Sequence, residues 1–267
     1  MVRALLVRGL LVGLMAGVVG FVFARVVGEP QVSAAISFED RQAEQPAAGV
    51  DDHDHAAGGA VADSAHAGHA TDEVVSRRVQ SSFGLALGVV VTGVAFGGLL
   101  ALVYAFSIGR VGPPGPRPLA LAIALGVLVA GFVVPFLKYP ANPPAVGAPE
   151  TAGRRTALYL VMVGVSLVAA AGAVLVRRHL LLRHDRWNAT VLGAASYLVV
   201  VVVAYLVLPG VDEVPTGFPA DVLWSFRMAS LGIQCVLWVT IGLAFGALEE
   251  RRRAATGTVS TEPSLAL

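Results

Sequence analysis

Four of the six histidines in this chain lie in one short, polar stretch, where their side chains are well suited to binding a metal ion. They are His53, His55, His66 and His69. Four aspartates lie among them: Asp51, Asp52, Asp54 and Asp63. Imidazole and carboxylate groups are ligands for divalent transition metals, so this stretch predicts metal capture. The residues around them are largely alanine and glycine, so we expect no rigid geometry that selects one metal. The alternative is a solvated polar linker whose histidines are incidental.

The composition indicates that these side chains belong to a membrane protein. Apolar residues make up 56% of the 267 residues and charged residues only 14%, whereas soluble domains carry roughly 25% charge. The single cysteine, Cys235, excludes a disulfide framework. The net charge of +1, without a basic cluster and interleaved aromatic residues, gives no indication of a nucleic-acid partner. No phosphate-binding loop, catalytic triad or His-Glu-x-x-His motif is present, so no enzyme is predicted.

Six apolar stretches have the length of membrane helices, about 17 to 25 residues. They are approximately Leu5–Val27, Phe83–Phe106, Leu119–Leu137, Ala157–Val176, Ala189–Leu208 and Met228–Leu248. Only helices and closed barrels satisfy the backbone in lipid, and the alternating pattern of a barrel is missing. We therefore predict an all-α polytopic bundle in the lipid bilayer. Its parts are a first helix over 1–27, a loop over 28–82 with a disordered middle, a five-helix region over 83–248 and a tail over 249–267.

The first apolar stretch has two interpretations. Arg3 and Arg8 before an apolar run resemble the start of a signal peptide, with Val32–Ala34 as a cleavage site. Glycines at four-residue spacing favour instead a retained helix that packs closely against another. These glycines recur in the first, second and last stretches: Gly9, Gly13, Gly17, Gly84, Gly88, Gly93, Gly97, Gly242 and Gly246. We favour the retained helix and interpret the glycines as packing positions.

The distribution of charge predicts an orientation. Eleven of the nineteen arginines and lysines lie at the N-terminus, in the second and fourth loops and in the tail. Cytoplasmic segments carry such an excess of positive charge. Ten of the eighteen carboxylates lie in the first loop. We therefore expect both termini in the cytoplasm and the histidine-bearing loop outside.

A second set of candidate ligands consists of carboxylates near the predicted outer ends of the helices. They are Glu29, Asp212, Glu213 and Asp221. Two proline-containing segments, Pro135–Pro144 and Leu208–Arg227, lie on the same side, and non-helical backbone at membrane depth must line a cavity or pack within protein. We predict a vestibule in which the four carboxylates bind the ion, with Lys138 and Arg227 as counter-charges. The alternative is that these residues cap and anchor helices, which suits Asp221 and Trp224.

Polar side chains are scarce within the apolar stretches. Gln234 and Cys235 in the last stretch are candidate ligands inside the membrane. A single buried cysteine is more often a small apolar filler. His179 and His184 lie among arginines, and we expect them to be solvated.

Together these features resemble the CbtA family of predicted cobalt transporter subunits. The resemblance rests first on the glycine-spaced first helix, which contains Arg8–Leu10. It also rests on four further segments: Phe23–Arg25 with Gly28–Pro30, Pro135–Pro144, Asp212–Pro215, and Phe218–Asp221 with Trp224 and Phe226–Arg227. The proline and asparagine string is the most specific of these. The family is often drawn with five spans, whereas this chain has six apolar stretches.

The resemblance implies a protein of the bacterial inner membrane that supplies cobalt for cobalamin synthesis. It also implies a small single-span companion subunit with a histidine motif. The ion would be Co²⁺, with Ni²⁺ or Zn²⁺ as alternatives, and no resident cofactor is expected. We predict that the histidine loop concentrates the ion and that the vestibule receives it. The competing hypothesis is a non-transporting receptor or scaffold subunit that binds the metal and works with a partner.

Overall fold

All regular secondary structure in the part of the chain that the structure describes is helical. The structure is a computed structural model, and it describes residues 2–43, 83–111, 115–144, 146–147 and 149–259. The helices are α1 (Val2–Phe23), α2 (Glu29–Ala43), α3 (Leu85–Ser107), α4 (Pro116–Leu128), α5 (Val134–Lys138), α6 (Ala152–Leu180), α7 (Arg186–Val207) and α8 (Ala220–Val259). A 3₁₀ turn at Pro149–Thr151 precedes α6. Within the described residues, six helical stretches are long and apolar enough to cross a membrane, which confirms the predicted all-α bundle.

Two of these stretches continue through a proline. π-helical turns at Ala24–Gly28 and Val129–Val133 join α1 to α2 and α4 to α5. Pro30 and Pro135 follow these turns. A proline lacks the N–H of a regular helix and its ring clashes with the carbonyl four residues earlier; the wider π turn relieves that clash. Helical backbone therefore reaches Ala43, although apolar side chains end near Val27.

Four helices, α1, α3, α4 and α8, form the main core. Its largest buried side chains come from α3 and α8: Leu100, Leu237, Trp238, Ile241 and Phe245. The ring of Phe96 stacks on Trp238 with 4.9 Å between centroids. Tyr104 meets Phe245 edge to face at 5.1 Å. These aromatic contacts hold α8 against α3, so one side of α8 is committed to the core.

The glycine seam, formed by Gly9, Gly13 and Gly17 of α1 with Gly93 and Gly97 of α3, joins the first two membrane helices. A Cβ atom added at Gly13 would overlap the carbonyl oxygen of Gly93. A Cβ at Gly97 would overlap the carbonyl oxygen of Gly9. The two backbones are therefore in contact, which confirms the prediction for these five glycines. The prediction is wrong for Gly84 and Gly88, because an added Cβ at either position has nothing within 4 Å among the described residues.

A second unit, the α6–α7 hairpin, packs beside the main core. Tyr139 after α5, Met162 of α6 and Val201 of α7 share a smaller apolar cluster that attaches the hairpin to α5. Inside the hairpin, the hydroxyl groups of Ser166 and Tyr197 are hydrogen-bonded at 2.8 Å. The hairpin thus contacts the core mainly through the third membrane helix.

The contacts at the two ends of the bundle show which segments lie together. At one end, Arg8 pairs with Glu249, and Arg117 pairs with Glu250, so the start of α1, the start of α4 and the end of α8 meet. At the opposite end, Phe38 of α2 packs edge to face on Phe218, with 5.0 Å between ring centroids. We call this opposite end the loop end, because α2 leads there into the stretch that carries the four histidines.

Candidate functional site

A cavity of about 720 Å³ lies at the loop end, between α6, α8 and two irregular segments. The segments are 139–144, which follows α5, and 211–214, which follows α7. Its charged and amide-bearing lining residues are Asn142, Arg155, Asp212, Glu213, Arg227 and Gln234. We call it the polar cavity. Two carboxylates and two guanidinium groups thus lie in the lining of one cavity.

The two irregular segments are fixed to each other where α5 and α7 end. The hydroxyl group of Tyr139 donates to the Pro209 carbonyl at 2.7 Å. Burial raises the pKa of Tyr139 above its ordinary value, so the phenol keeps its proton and remains a donor. The ammonium group of Lys138 donates to the Tyr205 carbonyl at 2.9 Å. These bonds satisfy carbonyls at the end of α7 and hold the cavity wall in place.

Arg227, on α8, holds the proline-containing segment. Its Nη2 donates to Asn142 Oδ1 at 3.0 Å, and its Nε donates to the Ala141 carbonyl at 3.3 Å. Asp212 is close enough to act electrostatically on the same guanidinium group. Arg227 therefore joins α8 to the proline-containing segment.

Glu213 is paired with Arg155 of α6. Glu213 Oε2 lies 3.3 Å from Arg155 Nε, in an ion pair rather than an aligned hydrogen bond, and the side chains are 18% and 26% exposed. Arg155 Nη1 also donates to the Val146 carbonyl at 3.4 Å. Gly147 has a φ of +107°, and a Cβ there would overlap the guanidinium group. A glycine is thus needed at 147 to let Arg155 lie against the backbone and reach Glu213.

The structure brings some of the predicted site residues together and separates others. Asp212, Glu213 and Arg227 line the polar cavity. Glu29 and Asp221 are not among the described residues that line it. Asp221 lies in the first turn of α8, where a carboxylate interacts favourably with the helix dipole. Glu29 lies where the helical backbone continues from the π turn into α2.

The remaining predicted ligands are the four histidines of the first loop. His53, His55, His66 and His69 lie outside the described residues. Within the described ranges, no three His, Cys, Asp or Glu side chains come together in a group able to hold a metal. Lys138, predicted as a counter-charge, contacts α7 and is not among the described cavity-lining residues. Among the described residues, the candidate site centres on Asp212 and Glu213.

The two residues of α8 that were predicted together as candidate ligands inside the membrane have different surroundings. Gln234 lines the polar cavity, whereas Cys235 packs against the main core. The cysteine therefore behaves as a small apolar filler. Arg155 was not predicted as part of the site, because nothing in the sequence around it distinguishes it from the neighbouring Arg154.

Comparison with known protein families indicates which kind of protein contains this cavity. Residues 2–250 match the model of a family described as "Probable cobalt transporter subunit (CbtA)". The chain belongs to the CbtA family. The match includes both irregular segments and every residue that lines the polar cavity. No curated protein and no solved structure matches the chain. The family description is that of a probable cobalt transporter subunit, and the six candidate spans within the described residues are those of a multi-pass membrane protein.

Proposed function

We propose that this CbtA protein takes up Co²⁺ across the bacterial cytoplasmic membrane for cobalamin synthesis, and that the ion enters through the polar cavity. The supporting observation is that Asp212 and Glu213, adjacent in sequence, both line a cavity bounded by irregular, proline-containing backbone. Carboxylate and backbone carbonyl oxygens are the ligands available there. The charge distribution supports an outward-facing loop end with both termini in the cytoplasm.

The charges of the cavity suit transient binding. Arg155 is already ion-paired with Glu213, and Arg227 is close enough to Asp212 to interact with it electrostatically. An arriving divalent cation must compete with these guanidinium groups, so it is held weakly enough to move on. A membrane potential of about 100 mV contributes roughly 2.3 kcal/mol for each elementary charge, and about twice that for a divalent ion. Inward movement of Co²⁺ would therefore follow the potential, its gradient or a partner protein.

We assign the histidine-bearing loop the role of concentrating the ion before it reaches the cavity. Its imidazoles bind metal only when neutral, so capture should weaken below about pH 6. Glu29 and Asp221, at the loop end, would add negative charge along the approach. Deletion of residues 51–69 should lower uptake at limiting Co²⁺ and leave uptake at saturating Co²⁺ unchanged. Unchanged uptake at limiting Co²⁺ would make the loop a linker only.

The cavity assignment is tested by removing its negative charge. In proteoliposomes with an inside-negative potential, the combined Asp212→Asn and Glu213→Gln variant should take up radiolabelled Co²⁺ at least about tenfold more slowly, since each lost charge-assisted ligand contributes roughly 1.5–3 kcal/mol. Glu150→Gln is the matched control, because Glu150 is an exposed carboxylate near the cavity but not in its lining. Equal rates for the double variant and the control would exclude these carboxylates from the path.

The same preparation separates a transporter from a receptor or scaffold subunit. The chain alone should accumulate Co²⁺ if it forms the path by itself. Accumulation only after addition of a single-span companion with a histidine motif would favour the receptor or scaffold hypothesis. Binding of Co²⁺ without accumulation in either case would favour the receptor hypothesis.

A further inference from the structure

One face of α8 forms the inner wall of the polar cavity. Arg227, Ser230, Leu231 and Gln234 all line it, at intervals of three and four residues. Such intervals place side chains above one another on one helix face. Since α8 starts at the loop end with Ala220, this face leads from Arg227 toward the middle of the bundle. Gln234 is the innermost α8 residue of the lining, about two turns beyond Arg227.

The side-chain amide of Gln234 has an unsatisfied oxygen. Gln234 Oε1 is buried and has no hydrogen-bond partner among the residues that the structure describes. Buried polar side-chain atoms are in large majority hydrogen-bonded, and an exception requires an explanation. Gln234 lines a cavity, so the oxygen can be satisfied from that side. Four residues further along α8, the indole Nε1 of Trp238 is likewise buried without a partner among the described residues, so the unsatisfied polar atoms continue inward from the cavity.

We propose that Gln234 is the inner ligand of the ion path, and that its amide oxygen receives the metal ion from Asp212 and Glu213. This inference rests on the proposed function. The cavity lining becomes less charged from Asp212, which is exposed, through Glu213, which is largely buried beside Arg155, to the neutral amide. A neutral oxygen replaces water around the ion without the strong attraction of a carboxylate. Successive sites that are individually weak allow an ion to enter and leave.

The position of Gln234 behind both arginines gives it a specific task. Arg155 and Arg227 interact with the carboxylates at the loop end of the cavity. A cation that has moved past them is no longer close to Asp212 and Glu213, and two guanidinium groups lie behind it. The oxygen of Gln234 offers the next partner on the path. Replacement of that oxygen should therefore slow transfer more than it weakens capture at the mouth.

The accessibility of this face is tested by cysteine labelling. The chain has one cysteine, so Cys235→Ser gives a cysteine-free background. Ser230→Cys and Gln234→Cys in that background should react with a charged, membrane-impermeant methanethiosulfonate reagent, and Co²⁺ should slow both reactions while an equal ionic strength of Na⁺ does not. Val239→Cys is the control, since Val239 lies at similar depth, is 38% exposed and is not among the described lining residues. A Gln234→Cys protein as unreactive as Val239→Cys would overturn the proposal.

The ligand role is tested by three variants at position 234. Gln234→Leu should lower the maximal rate of Co²⁺ uptake about tenfold and change the half-saturating concentration little, the fold-change expected for loss of one modest hydrogen bond or ligand contact. Gln234→Glu keeps an oxygen and should bind Co²⁺ at lower concentrations but release it more slowly. Gln234→Asn, with a shorter reach, should fall between wild type and Gln234→Leu. Thermal unfolding of each variant provides the check on folding.

The outcomes separate this inference from the proposed function. If wild type transports Co²⁺ and Glu213→Gln slows it while Gln234→Leu does not, the inner ligand is wrong and the cavity remains the path. If wild type transports nothing, but Co²⁺ protects Ser230→Cys from labelling and Gln234→Leu removes that protection, the proposed transport by this chain alone fails and the inner ligand stands. A Gln234→Leu protein that transports slowly only because it unfolds at lower temperature would reduce Gln234 to a structural role.

Discussion

The α1–α3 contact and the polar cavity between α6 and α8 differ in how closely backbone approaches backbone. Along the glycine seam the helices touch through their main chains, and a single Cβ at Gly13 or Gly97 would not fit. Between α6 and α8 the chain leaves helical structure, and space of about 720 Å³ remains. Lipid gives no hydrophobic reason for helices to associate, so close packing supplies the attraction in the first region. The second region keeps irregular backbone, which is tolerated in a membrane where it lines a cavity.

α8 takes part in both regions, at different positions along one face. Trp238, Ile241 and Phe245 are fully buried in the main core, whereas Arg227 and Gln234 line the cavity. A rigid core around the inner part of α8 positions the polar side chains nearer its start. The comparison therefore suggests a division of roles along the helix, with α1, α3 and α4 supporting its inner part while the part near the loop end lines the cavity. Substitutions in the two regions should then differ in kind: loss of folding in the first, and changed ion handling with a smaller loss of stability in the second.

The largest effect is expected at the glycine seam. Gly13→Leu should prevent the close approach of α1 and α3 and destabilise the protein by about 3 kcal/mol or more, since overpacking against backbone cannot be relieved by a change of rotamer. Thermal unfolding in detergent measures it. Gly88→Ala is the control on α3, because nothing lies within 4 Å of its added Cβ; it should be neutral or stabilising by up to about 1 kcal/mol. Similar melting temperatures for the two variants would contradict the seam.

Much of the fold could be predicted from the sequence, because apolar length and glycine spacing report directly on single helices and their closest contacts. Six membrane-length helices and the packing glycines follow from those patterns. The extension of the first helix to Ala43 does not, because it depends on a π turn that lets the helix pass Pro30. A proline usually signals the end of a helix, and the sequence gives no sign of the compensating turn.

The candidate site was predictable only in part, and the reason is tertiary. Asp212, Glu213 and Arg227 belong to one short stretch of chain near prolines, so their proximity could be inferred. Glu29 carries the same chemistry, but its place at the start of α2 is set by packing of that helix. The partner of Glu213, Arg155, is 58 positions away in the sequence and is found only by folding.

An intermediate effect is expected at Gly147, where backbone conformation and the cavity wall depend on each other. Gly147→Ala should destabilise the protein by about 1–3 kcal/mol, because a positive φ is strained for alanine and the new Cβ overlaps Arg155. Thermal unfolding is again the measurement. Gly153→Ala, in the first turn of α6 with open space around it, is the matched control and should change stability little.

A second background separates the two causes at this position. In an Arg155→Ala protein the overlap is removed and only the strained φ remains, so Gly147→Ala should then have a smaller effect than in wild type. Non-additivity of this kind is expected for residues in direct contact. Equal effects in both backgrounds would mean that the guanidinium group does not press against the backbone at Gly147. The backbone at Gly147 would then not fix the position of Arg155 in its pair with Glu213, although the cavity itself would remain.

The smallest effect is expected in the hairpin, at a local contact independent of both regions. Asp185 caps α7, accepting hydrogen bonds from the backbone N–H groups of Trp187 and Asn188 at 3.1 and 3.2 Å. The bond from the Asn188 N–H is the main cause that lowers the pKa of Asp185 below its ordinary value of 3.8. A lowered folded-state pKa stabilises the protein above the unfolded-state pKa, and that contribution is lost as pH falls through the folded-state value.

Asp185→Ala should therefore lower the melting temperature slightly near neutral pH, and the difference from wild type should shrink as the pH falls below 3.8. Asp185→Asn keeps an oxygen that caps the helix but cannot titrate, so its stability relative to Asp185→Ala should not change over the same range. Hydrogen exchange of the amides at 187 and 188 reports on the cap directly. Since neither the glycine seam nor the polar cavity contacts this turn, Co²⁺ uptake should stay at the wild-type rate in both variants. A fall in uptake would show that the hairpin transmits local changes to the cavity. The proposed separation between a supporting core and an independent ion path would then be wrong.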